Sequence, residues 1–160
     1  MAVLLLIQAI DESGRYFGRN ITNSMMGHAA IATSSKYALE MPGKKISTHT
    51  SKATFFRRNS GGQKNVVVYR IKFHTAYANK AATYAYNYKY RKTNPSYMIN
   101  LYHKSPSYCS KYVYLAYWWG ATKSALTNYR GIPHIVTPHG LIENFVGSFV
   151  PKYICKVTRY

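Results

Sequence analysis

"RRNSGGQKNVVVYRIKF", residues 57–73, sets two arginines, two adjacent glycines and a lysine directly before a valine-rich run. A nucleotide-binding P-loop needs G-x-x-x-x-G-K-[ST], with glycines spaced so that backbone N–H groups cradle phosphates. Here Gly61 and Gly62 are adjacent, Lys64 follows Gln63, and Asn65 stands where Ser or Thr is required. The nucleotide reading recedes. Beyond the loop, Tyr69, Ile71 and Phe73 alternate with Arg70 and Lys72 behind Val66–Val68, the pattern of a β-strand. With "ATFF" (53–56) as a short strand before it, the unit reads as a hairpin with a basic tip. Adjacent glycines at such a tip allow close backbone approach to a phosphodiester, and Arg57, Arg58 and Lys64 supply charge.

On either side the pattern is also β-like. Ala2–Ile10 is a strand or short helix, "SMMGHAAIATSSKYALE" (24–40) is only weakly helical, and "MPGKKISTHTSK" (41–52) has the content of a loop or extended arm. "ATYAYNYKYRK" (82–92) predicts a strand projecting Tyr84, Tyr86, Tyr88 and Tyr90 to one face, either as core or as a base-stacking surface. "SYMINLYH" (96–103) and "HIVTPHGLI" (134–142) add two strands, and "SKYVYLAYWW" (110–119) is a fifth strand or an inserted helix. The expected fold is mainly β: a small Greek-key oligonucleotide-binding-type barrel over 51–150 with an insertion at about 103–130. Residues 1–50 form an extended N-terminal arm in this reading, and 151–160 a C-terminal tail.

Charge sets the expected partner. The 160 residues carry 22 Lys+Arg against 4 Asp+Glu, a net charge of +18. The acids are Asp11, Glu12, Glu40 and Glu143, so the span from Met41 to Ile142 has no carboxylate. That imbalance calls for a polyanion, and basic residues interleaved with seventeen tyrosines favour nucleic acid over a membrane surface. Cys109 and Cys155 form no C-x-x-C pair and no disulfide framework, and His103 with Cys109 makes no zinc motif. His49, His74, His103, His134 and His139 have no neighbouring carboxylate to orient them, which argues against acid–base catalysis. A nucleophilic Cys–His pair is possible in three dimensions, but no local spacing specifies it. Neither an enzyme, nor a metal, nor a cofactor is expected. The apolar start "MAVLLLIQAI" falls well short of the ~20 residues needed to cross a bilayer and lacks the basic pattern of a presequence.

Three segments, in order, resemble the universal large-subunit ribosomal protein two family. Its hallmark R-H-R-G-G-G-H-K-R and following apolar strand are similar to Arg57–Lys64 with Val66–Val68, Tyr69, Arg70, Ile71 and Phe73. "YRKTNPSYMINL" (90–101) and "HIVTPHGL" (134–141) match two later runs, followed by Val146-Gly147. The chain departs in Ser60 for the third glycine, Arg58 and Gln63 for the histidines, and Lys72 for the aspartate. It also lacks the family's second, SH3-like barrel. The resemblance implies a structural constituent of the large ribosomal subunit; its divergence and the wealth of residues with A/T-rich codons (Tyr, Lys, Asn, Ile) suggest a mitochondrial ribosome, and the absence of a presequence suggests coding by the organelle. Arg57, Arg58, Lys64, Arg70, Lys72, Lys89, Arg91 and Lys92 would position large-subunit rRNA phosphates, and Gly61 and Gly62 would let the backbone approach them. Neighbouring ribosomal proteins and a separate chain carrying the missing half are the other expected partners. A free-standing single-strand-binding protein and an RNA-acting enzyme are the alternatives.

Overall fold

The computed structural model describes residues 4–10, 27–42, 46–62, 64–87, 94 and 98–160. Six strands make one sheet: β1 (Leu4–Ile10), β2 (His28–Ala32), β3 (Tyr37–Glu40), β4 (Thr48–Ser51), β5 (Lys64–Arg70) and β6 (Lys152–Val157). Their order is β4-β3-β2-β1-β5-β6, and every neighbouring pair is antiparallel. The expected β framework is present. Among the described residues three α-helices make it a small mixed fold: α1 (Lys52–Asn59), α2 (Thr75–Tyr86) and α3 (Cys109–Gly120). The sheet does not close into a barrel, since β4 and β6 are its two edges.

Helices cover both faces, which explains why β2 reads as an unbroken apolar run rather than a clean alternation. Ala29, Ile31, Leu39, Met41 and Ile71 pack into the cluster that holds α2 and α3. Residues of the opposite parity, Ala30, Ala38, Val66 and Val68, meet Phe55 of α1 on the other side. The stretch 1–50, expected as an arm, supplies four strands, and the expected tail supplies the edge strand β6.

Helix α1 replaces the expected strand at 53–56. The Ser51 hydroxyl accepts from the Thr54 N–H at 3.1 Å, an N-cap that satisfies one orphan donor of the first turn. Phe55 and Asn59, four residues apart, form its buried stripe. The glycine loop is therefore a helix-to-strand turn and not a hairpin tip. Gly61 and Gly62 have φ of 97° and 58°, and no atom lies within 4 Å of where a Cβ would sit on either. The backbone conformation, not crowding, is what calls for glycine there.

Helix α2 replaces the expected tyrosine strand. Ala78, Ala81, Ala82 and Ala85 recur at helical spacing and bury against α3, while Tyr84 is half-buried and Tyr86 exposed. The expectation for Tyr88 and Tyr90 lies outside the described residues. Small residues let the two helices approach closely, and Gly120 completes the fit, because a Cβ there would fall on Cβ of Tyr84. Gly120→Ala is expected to destabilise the fold by about 1–3 kcal/mol, through overpacking that exceeds the gain in helix propensity. Denaturant titration checks this, and an unchanged midpoint would show that the helices can part without cost.

Helix α3 lies inside the span expected as an insertion, yet it is the centre of the molecule. Residues 109–118 are all buried, so the helix is enclosed on every side. Two of its buried tyrosines are tolerated there because their hydroxyls find carbonyls: Tyr112 donates to Ala85 at 2.7 Å and Tyr114 to Thr127 at 2.6 Å. Ser110 likewise donates to Val136 at 2.6 Å. The fully buried Lys111 directs Nζ to the carbonyls of Asn100 (2.9 Å) and Pro106 (3.0 Å). Burial pulls its ammonium down to about 8. The described part of 96–103 and the whole of 134–142 contain no strand. They wrap α3 as turns and irregular chain, held in part by the Val136 N–H donating to the Tyr108 hydroxyl at 2.9 Å.

Candidate active site

The first residue of α3 is Cys109, 7% exposed, and its thiol faces the first residue of β2. That residue, His28, is hydrogen-bonded to the thiol and uses Nε2 for Glu40 Oε2 at 2.8 Å. Glu40 ends β3 and is 2% exposed, and its other oxygen is paired with the Arg58 guanidinium on α1. Phe55 backs the imidazole, with ring centroids 5.9 Å apart and 25° between planes. The site thus sits at one end of the sheet, where a strand start, a strand end and two helices converge.

The electrostatics favour a charged pair. Burial alone would raise the Cys109 thiol, but His28 and the backbone N–H groups of Ala29 and Ser110 bring it below its ordinary value. A thiolate at the head of a helix is also favoured by the helix dipole. Burial alone would lower His28, but Cys109 and Glu40 together push it up to about 9. Glu40 would be raised by burial and is instead lowered, by His28 first and then by Thr50 and Arg58. A thiol, an imidazole and an orienting carboxylate in hydrogen-bonded series are the constellation of a nucleophilic thiol enzyme.

None of these three stood among the expected site residues. Of the expected set, Arg58 lies at this site, as the partner of Glu40. Arg57 is exposed in the last turn of α1, Lys64 begins β5, and Arg70 ends it with a buried Nε. Lys72 lies exposed in the following turn over the Phe73 ring. Lys89, Arg91 and Lys92 lie outside the described residues. Among the described residues no cluster of three His, Cys, Asp or Glu is arranged to hold a metal, and no helix is long and apolar enough to cross a membrane.

Residues 18–157 match the family model described as lipoprotein N-acylation protein LnsA-like. The chain belongs to that family. It is also 33% identical over 155 residues to an uncharacterized 30.3 kDa protein of Bacillus thuringiensis, an alignment covering 89% of this chain and 56% of the relative. The chain therefore spans little more than half the length of that relative. No solved structure matches it.

These matches overturn the ribosomal reading. The resemblance rested on a Gly-Gly turn before a valine-rich strand and on a few residues in irregular loops, features that unrelated folds share. Large-subunit rRNA, neighbouring ribosomal proteins and a mitochondrial setting go with it, since the relative is bacterial and the family concerns lipoproteins. Neither does anything support the single-strand-binding alternative. The expectation that the chain is not an enzyme is also overturned, by membership of an acylation family.

Proposed function

We propose that the chain is a thiol acyltransferase that moves a fatty acyl group from an ester to an amine through a thioester on Cys109. The observation that carries the reading is the buried series Cys109–His28–Glu40, in a chain whose family is described by lipoprotein N-acylation. In the first half, the Cys109 thiolate attacks the ester carbonyl and the C–S bond forms. The C–O bond then breaks, and the leaving alkoxide takes the proton held by His28. In the second half, the nitrogen of the incoming neutral amine attacks the thioester and gives up one proton to neutral His28. The C–N bond forms, the C–S bond breaks, and the thiolate and the protonated imidazole are restored. The family description points to the terminal amine of a lipoprotein as acceptor, and a lipid ester is the corresponding donor. Glu40 stabilises the imidazolium and fixes the ring, and Arg58 keeps Glu40 ionised and in place.

Trapping the intermediate tests this. The protein, incubated with an ester-linked diacyl phospholipid and no amine, is expected to gain one acyl mass on the peptide containing Cys109. The adduct should be released by neutral hydroxylamine and be absent in Cys109→Ala. Addition of a diacylglyceryl peptide with a free amino terminus should then discharge it to an N-acyl peptide. Release to water alone, with the amine present and unmodified, would assign hydrolysis in its place. No adduct under any donor would remove the covalent mechanism.

A further inference from the structure

We propose that the turn after β5, the head of α2 and the segment 146–153 together form a docking face for an anionic lipid bilayer. It extends the acyl-transfer reading by placing the lipid donor, but it rests on a different surface and is tested separately. Phe73 is 68% exposed and Tyr153 60%, and Tyr77, Val146 and Val150 are exposed as well. These residues are held in one neighbourhood by a small aromatic clasp. His74 stacks on Phe149 with centroids 4.0 Å apart and bonds Ser148 Oγ at 2.7 Å, while Tyr77 meets Phe149 at 5.6 Å. On β6, Tyr153 packs edge-on against Tyr69 at 6.2 Å.

Lysines rim this patch. Lys72 lies over Phe73, Lys80 over Tyr77, and Lys152 begins β6 beside Tyr153. Of the two acids among the described residues, Glu143 is exposed one turn before Val146, and Glu40 is engaged by His28 and Arg58. Across a chain of net charge +18, a set of exposed aromatic and aliphatic tips ringed by ammonium groups complements an anionic headgroup layer. The tips enter the acyl boundary while the lysines stay at the phosphates. A nucleic acid would use the charge but leave Phe73, Val146 and Val150 in water.

The test is co-sedimentation of the Cys109→Ala chain with vesicles of phosphatidylglycerol or of phosphatidylcholine, at low and moderate salt. Strong pelleting is expected on the anionic vesicles, weak pelleting on the zwitterionic ones, and a fall with salt. Phe73→Ser with Val150→Ser is expected to lower the apparent affinity about tenfold or more. Lys72→Glu with Lys152→Glu should do the same. Ile46→Ser, an exposed apolar residue just before the opposite edge strand, should change nothing. Alkylation of Cys109 in the otherwise native chain confirms that each surface variant is folded. Equal pelleting on both lipids, none on either, or undiminished pelleting of the Phe73/Val150 variant would each overturn the docking face. So would a dimer in chromatography that disappears in that variant without any lipid binding. Any of these leaves thioester capture standing, and failure of thioester capture leaves vesicle binding standing.

Discussion

His28→Ala is expected to slow acyl transfer by about 10³–10⁴-fold, the range that a positioned acid–base group contributes, with little loss of fold. The imidazole has two tasks at this site: it holds Cys109 as thiolate and it moves the proton in both half-reactions. Deleting it returns the thiol to its buried, unassisted condition, in which the neutral form is favoured. The structural cost is the stacking on Phe55 and the bond to buried Glu40, whose other oxygen keeps its pair with Arg58. Two measurements separate the tasks. Iodoacetamide alkylation at neutral pH reports thiolate alone, and transfer from phospholipid reports thiolate and proton movement together. Both should fall, transfer more steeply than alkylation. Transfer that persisted at a tenth of the normal rate would mean that another base serves Cys109.

The second expectation concerns pH. The rate should fall at high pH with a midpoint near 9, where His28 loses the proton needed by the leaving alkoxide. The sign follows from the partners. A negative sulfur and a negative carboxylate both favour the protonated ring, so the alkaline limb lies well above that of an ordinary histidine. Glu40→Gln removes one of those charges, and the limb should move toward the ordinary histidine range. At pH 8.5 this variant is expected to lose about tenfold in rate while retaining more near pH 6.5, since each pH unit beyond a midpoint costs a factor of ten. Thiol protonation sets the acid limb, which should lie below the usual cysteine value. An alkaline limb unchanged by Glu40→Gln would show that the carboxylate only anchors Arg58.

What the sequence disclosed depends on whether each element carries its own signal. Strand β5 announces itself through three consecutive valines followed by alternation, and it lies where it was expected. Helix α2 was hidden because its tyrosines fall at period two, while the alanines that bury are at positions 78, 81, 82 and 85. Helix α1 has two turns and one cap, too little periodicity to outweigh a pair of phenylalanines that favour strands. The run at 110–119 allowed helix or strand, because a segment buried on every side has no polar face to reveal its period.

The active site was less legible still. Its three groups lie on β2, β3 and α3, and no fixed spacing ties a strand-start histidine to a helix-head cysteine. His28 precedes the acid-free span and Glu40 only borders it, so the charge asymmetry singles out neither residue. "GHAAI" at 27–31 and "CSKYVYLAYWW" at 109–119 were the available hints: a histidine opening one buried strand and a cysteine opening one buried helix. Either alone describes ordinary packing.

The order of the three groups along the chain has a consequence for biogenesis. Histidine and carboxylate emerge early from the ribosome and the nucleophile comes long after them, on a helix that must dock between sheet and loops before its thiol meets the imidazole. A nascent or half-folded chain therefore holds an ordinary, sluggish cysteine. Reactivity switches on when α3 docks, so an electrophilic probe of Cys109 would count molecules in which that contact is made and pass over the rest.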